Sequence, residues 1–159
     1  MTESFEVRRI AVGEWQALRE VRLSALENEP AAFCATRAAE GLVTEPIWEE
    51  RCRMGAESPR SATFVVSQGG RFYGMTVIVR EEEQAEVYAV FLEPAARGQG
   101  LARQMLLKAL EFAQGLTVHL EVNQSLTAAE ALYRAVGFQL DGSSREFEDG
   151  RVMRGWVRR

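Results

Sequence analysis

The chain has 159 residues, 47% of them hydrophobic and 26% charged, with a net charge of −4. This profile excludes an intrinsically disordered chain and argues against nonspecific nucleic-acid binding, which draws on a basic face. No apolar run approaches the roughly 20 residues of a membrane-crossing helix, and the single histidine, His119, argues against a His-based triad or a multi-histidine metal site. The length fits a single domain over residues 1–159. The polar start MTESFEVRRIAVGEW lacks an apolar signal core, so the expected location is cytoplasmic. Cys34 and Cys52 have no metal-ligand spacing and are expected to be free thiols packed on apolar surface.

In chain order, FEVRRI (5–10) alternates as a strand. Residues 13–29 place Trp15, Leu18, Val21, Ala25 and Leu26 near one helical face, and Pro30 ends that pattern. AAFCATRAAEGLV is expected to be a loop. Thr44 then caps a short helix with Pro46 in its first turn and Ile47, Trp48 and Met54 along it. Strands at 62–68 and 71–80 flank Gly69-Gly70, a two-residue hairpin signal. Glu81, Glu82 and Glu83 belong to a solvated turn, followed by a strand over 85–94. Residues 99–114 form an amphipathic helix closed by Gly115, and 116–122 is another strand, with His119 in a structural place. Thr127 and Glu130 have capping-box spacing for a helix reaching Val136. FQLDG and GRVMRGWVR supply late strands, with Arg151, Arg154, Arg158 and Arg159 expected along a solvated edge.

Residues 85–122 thus read strand, Gly-rich turn, helix, strand: a βαβ unit whose two strands are parallel neighbours. The rest is hairpin-like, so the fold class is mixed α/β or α+β, with a largely antiparallel sheet and helices on both faces.

The turn EPAARGQGLARQ raises a phosphate question, because helix N-termini leave backbone N–H groups free for anions. An ordinary strand-to-helix turn is also compatible with the glycines. A Walker loop is missing its lysine and hydroxyl pair. A dinucleotide turn has Arg103 in place of its third glycine, although Glu121 lies where an acidic ribose ligand would. Arg97-Gly98-Gln99-Gly100-Leu101-Ala102 matches [Q/R]-x-x-G-x-[G/A] in full.

With that pattern between VFLEP and an amphipathic helix, the chain resembles the GNAT superfamily of N-acetyltransferases. The stretch LEVNQSLTAAEALYRAVGFQLDG (120–142), with Ala129, Leu132-Tyr133 and Gly137-Phe138, resembles the family's C-terminal motif, and LREVRLSALENEPAAF its first helix. The resemblance implies a sheet of six to seven strands with about four helices and a splayed parallel strand pair. It implies acetyl-CoA as cosubstrate and no metal. The pyrophosphate would lie on the N–H groups of Gly98, Gln99, Gly100, Leu101, Ala102 and Arg103, with charge from Arg97 and Arg103. Pantetheine would run along Val90, Phe91 and Leu92. Asn123 stands where the family places polar contacts. Leu126 stands where many members have a cofactor-bonding asparagine, which puts that one contact in doubt.

For the chemistry, the resemblance assigns Tyr133 as proton donor to the leaving thiolate and Glu86 as general base, with Glu121 second. Only about 0.1% of an amine of pKa ~10.4 is neutral near pH 7.4, a penalty of roughly 4 kcal/mol that a base offsets in part. The expected acceptor is a primary amine on a small molecule, in a pocket bordered by 26–48 and 81–85. Alternatives are a protein N-terminus or lysine, a non-catalytic acyl-CoA sensor, and a dinucleotide-type nucleotide-binding enzyme. No nucleic-acid or membrane partner is expected, and the resemblance is compatible with a homodimer.

Overall fold

The structure is a computed structural model and describes residues 4–159. The strands are β1 (Glu6–Arg9), β2 (Ser61–Gln68), β3 (Arg71–Arg80), β4 (Gln84–Leu92), β5 (Thr117–Asn123), β6 (Gln139–Glu146) and β7 (Val152–Arg158). They form one seven-stranded sheet in the order β1-β2-β3-β4-β5-β7-β6. All neighbours are antiparallel except β4 and β5. The helices among the described residues are α1 (Trp15–Asn28), α2 (Arg37–Gly41), α3 (Glu45–Glu57), α4 (Leu101–Phe112) and α5 (Thr127–Ala135). The mixed, mostly antiparallel fold with a parallel pair is the one the sequence implies.

Strand alternation splits the core in two. On one face α4 buries Leu101, Met105, Leu106, Ala109 and Leu110 in a cluster with Val66, Ile78, Val118, Tyr133, Phe138 and Trp156. On the other, Leu18, Val21 and Leu26 of α1 and Trp48 and Cys52 of α3 pack on Val65, Phe72, Met75 and Phe91. The adjacent residues Val65 and Val66 serve opposite cores.

Several local expectations change. The segment expected to be a loop contains α2, whose first turn is capped by the Thr36 hydroxyl accepting from Ala39 N–H (3.1 Å). α3 is a full 13-residue helix. Trp48 is buried in it, whereas Ile47 and Met54 are exposed. Thr127 and Glu130 make no capping box: Leu126 occupies the cap position, and the buried Glu130 carboxylate is held by Arg154 (2.6 Å). Arg151, Arg154 and Arg158 are not a free edge either, whereas Arg159 is exposed as expected. Arg151 donates to Phe33 O (2.8 Å) and Ala31 O (3.3 Å), and Arg158 donates to Val136 O (2.9 Å). Cys52 is buried as expected, but Cys34 is exposed.

Candidate functional site

The site starts with a short ladder. β4 and β5 pair only at Gln84↔Thr117, Ala85↔Val118 and Glu86↔His119. β4 then runs on to Leu92 and β5 to Asn123 without further cross-pairing. Their outer edges stay occupied, by β3 as far as Leu92 and by β7 as far as Asn123. A wedge opens between them, with one unpaired backbone edge on each side.

A bulge in β4 opens it. Met75 pairs with Phe91 but Val77 with Tyr88, so Ala89 and Val90 together face Thr76. Ala89 has φ 56, a left-handed conformation unusual for alanine. The Thr76 hydroxyl ties the bulge by donating to Tyr88 O (3.1 Å). Bulges bend a strand and raise its twist, which turns β4 away from β5. The sequence reading treated 85–94 as an unbroken strand and missed this, because alanine does not signal a positive φ.

Two spaces meet in the wedge. One, of about 370 Å³, is bordered by Glu86–Val90, Leu120–Asn123, Arg22, Phe33, Tyr133 and Arg145. The other, of about 550 Å³, lies between the Gly-rich turn and α5. Val90, Leu126, Ala129, Tyr133 and Glu29 line both.

The turn leaves a row of backbone N–H groups open, an arrangement that suits an anion. Gly98 (φ 83) and Gly100 (φ 77) take left-handed conformations that favour glycine. The first helical bond here runs from Gln104 N–H to Gly100 O (3.1 Å). Among the described residues, none of the backbone N–H groups from Gly98 to Arg103 donates within the chain. Phe91, Leu92, Gly98, Gly100, Leu101, Ala102 and Arg103 line the outer cavity, whereas the Gln99 side chain is not among its walls. Arg97 is on that wall, but its guanidinium is engaged, donating to Leu92 O (2.9 Å) and ion-paired with Glu29. It ties the end of α1 to the end of β4.

Tyr133 stands where the two spaces join. It is 6% exposed, its ring packs edge-on to Phe138, and its hydroxyl makes no hydrogen bond among the described residues. Burial, with the nearby Glu29 charge adding to it, pushes its pKa well above the usual tyrosine value. Glu86 accepts from the Tyr88 hydroxyl (2.7 Å). Tyr88 is pushed up to about 12, first by desolvation and then by this bond to a carboxylate. Glu121 is held by both arms of Arg145 (2.7 and 2.8 Å). Asn123, 4% exposed, is committed internally: Nδ2 donates to Ala31 O (3.0 Å), and Oδ1 accepts from Ser125 N–H (3.0 Å) and the Ser125 hydroxyl (2.9 Å). Its amide shapes the turn after β5 and holds the segment after α1. Leu126 lines both cavities with an apolar side chain.

Sequence reasoning passed over Tyr88 and Arg22. Arg22 stands among Leu18, Val21, Ala25 and Leu26 on the inward face of α1. A charge inside an apolar stripe was the available signal. Its guanidinium lies over Phe33 (5.1 Å) and reaches Glu40 (3.4 Å), while Nη1 is buried without a partner among the described residues.

A splayed parallel pair beside a helix turn with free N–H groups is a two-part site for an extended ligand with an anionic end. The profile of the acetyltransferase (GNAT) family matches residues 15–138. The chain belongs to this family. As a GNAT enzyme it is an acyltransferase. It is 33% identical over 132 residues to the N-alpha-acetyltransferase RimI of Mycobacterium tuberculosis, covering 80% of this chain and 84% of that protein. Its fold matches a GNAT-family acetyltransferase from Streptococcus pneumoniae with a TM-score of 0.82, at 19% identity over 98% of this chain and 99% of the other. It also matches RimL, a ribosomal L7/L12 alpha-N-protein acetyltransferase solved with coenzyme A, with a TM-score of 0.75 at 15% identity, covering 98% and 93%. In this GNAT chain no three His, Cys, Asp or Glu side chains among the described residues are grouped to hold a metal ion. No helix among them is long and apolar enough to cross a membrane.

Proposed function

We propose that this GNAT enzyme transfers an acetyl group from acetyl-CoA to the α-amine of a polypeptide. The observation that carries the reading is the state of the carboxylates around the wedge. Glu86 is bonded to Tyr88, Glu121 to Arg145 and Glu29 to Arg97. Each of the three is already held by a partner within the protein. A lysine-type amine costs roughly 4 kcal/mol to deprotonate near pH 7.4, whereas an α-amine of pKa about 7.8 is some 30% neutral and costs about 0.7 kcal/mol. The site suits the second kind. The similarity to RimI points the same way and favours a protein acceptor over the small molecule expected from sequence.

The residues fit the cosubstrate. The free N–H groups of 98–103 suit its pyrophosphate, and the unpaired β4 edge from Val87 to Leu92 suits its amide-rich pantetheine arm. Acetyl-CoA supplies an acyl thioester, whose C–S bond breaks as the N–C bond to the amine forms. Tyr133 keeps its proton throughout the physiological range and holds it for the leaving sulfur. The burial that raises the tyrosine also raises a thiol beside it, so the two acids stay comparable. Glu86, steadied by Tyr88, faces the incoming amine and takes its surplus proton on the way to solvent.

The test is thiol release from acetyl-CoA with three acceptors: a lysine-free peptide with a free N-terminus, an N-blocked peptide with one lysine, and a simple alkylamine. The free N-terminus is expected to exceed the others at least about tenfold in kcat/KM, given the difference in amine ionisation. Equal or better use of the alkylamine contradicts the reading.

A further inference from the structure

A second hollow adjoins the wedge on the opposite side of Tyr88. It measures about 600 Å³ and lies between α3 and strands β2 to β4. Its apolar walls are Leu18, Ile47, Met54, Met75, Val77 and Val79. Ile47 and Met54 are 48% and 40% exposed, large apolar side chains left open on α3 rather than packed into the core. The charged groups in this wall offset one another, since Arg51 pairs with Glu40 (2.9 Å). Arg22, Tyr88 and Ala89 belong to the walls of both this hollow and the wedge, so the two spaces form one continuous surface.

We propose that this hollow is the acceptor's side-chain pocket, and that it takes a bulky apolar residue at one of the first two positions of the polypeptide. The inference rests on the polypeptide reading above. With the amine beside Glu86 and Tyr88, an extended chain advances about 3.3–3.6 Å per residue. Successive side chains point to opposite sides, so one of the first two turns toward α3. Between the two spaces stands Arg22, held over Phe33 (5.1 Å) and against Glu40 (3.4 Å), so its charge is already engaged beside the passage. A simple amine brings no side chain to fill the hollow. The hollow therefore adds selectivity that the wedge alone lacks.

The test uses two series of lysine-free peptides with free N-termini, varying position one or position two through Gly, Ser, Leu and Phe. In one series Leu or Phe is expected to raise kcat/KM over Gly by about tenfold or more, the range for filling an apolar pocket. In the double variant Ile47→Glu, Met54→Glu that ratio is expected to fall close to one. Both sites are exposed, and acetyl-CoA affinity measured alongside shows that the variant is folded. Acetylation of all peptides without regard to side chain, or an unchanged ratio in the variant, overturns the pocket alone. Failure to acetylate any peptide, with acetyl-CoA still bound, overturns the polypeptide reading and the pocket with it.

Discussion

In the proposed reaction Tyr133 combines packing with chemistry. Burial and the Glu29 charge raise its pKa, so the phenol stays protonated wherever the enzyme works. Tyr133→Phe keeps the ring and removes the proton. It is expected to lower kcat by about a hundredfold or more, the usual worth of a general acid, with acetyl-CoA affinity nearly unchanged. The same shift sets a stability trend. Below about pH 10 the folded and unfolded states both hold this proton and it contributes no slope. Above that the unfolded state ionises first, so stability falls as pH rises. Thermal melts across the alkaline range are expected to show a shallower decline for Tyr133→Phe than for the parent. Motif spacing singles out Tyr133 in the sequence and the family resemblance singles out Glu86, and both line the wedge. Their neighbours were not legible there: Glu29 pairs with Arg97 across 68 residues, and Asn123 reaches Ala31 across 92. Such pairings depend on the assembled fold, and through them Arg97 and Asn123 tie distant segments together at the edge of the wedge.

At the scale of elements, the wedge depends on the bulge in β4. AEVYAVFLEP has the composition of a plain strand, and nothing in it marks Ala89 as left-handed. An L-residue there costs roughly 1–2 kcal/mol relative to its relaxed state, and glycine relieves most of it. Ala89→Gly is therefore expected to leave stability unchanged or raised by up to about 1 kcal/mol in chemical denaturation, despite the entropy glycine loses on folding. Ala89→Val is expected to destabilise by at least about 1 kcal/mol, because branching at Cβ worsens the clash at positive φ, and to lower kcat/KM as the wedge distorts. The opposite order of the two variants would mean that the bulge is not strained as described. The Gly-rich turn, by contrast, was legible at once, since glycines at positive φ before an amphipathic helix carry a local signal. The start of α5 differs from its sequence pattern because Glu130, spaced for a cap, finds Arg154 on β7 instead.

Across the whole molecule, part of the sheet order follows from a few rules applied to strand and helix patterns. The βαβ unit of β4, α4 and β5 gives the parallel pair and hairpins join β2-β3, β3-β4 and β6-β7, whereas the β1–β2 and β5–β7 pairings join strands that are not successive elements of the chain. The acceptor side could not be read in this way. Its walls come from α1, α3, β3 and β4, brought together only by the fold, and no stretch of sequence marks them as a group. This is why two motifs pointed to a cosubstrate while nothing local in the sequence marked the acceptor. The central claim is that the wedge between β4 and β5 is where the acyl group is held. A crystal structure of the enzyme with coenzyme A tests it most directly. The expected result has the pyrophosphate on the N–H groups of 98–103, the pantetheine arm against Val87–Leu92, and the sulfur within hydrogen-bonding reach of the Tyr133 hydroxyl. Coenzyme A bound outside the wedge, or with its sulfur remote from Tyr133, would contradict the account.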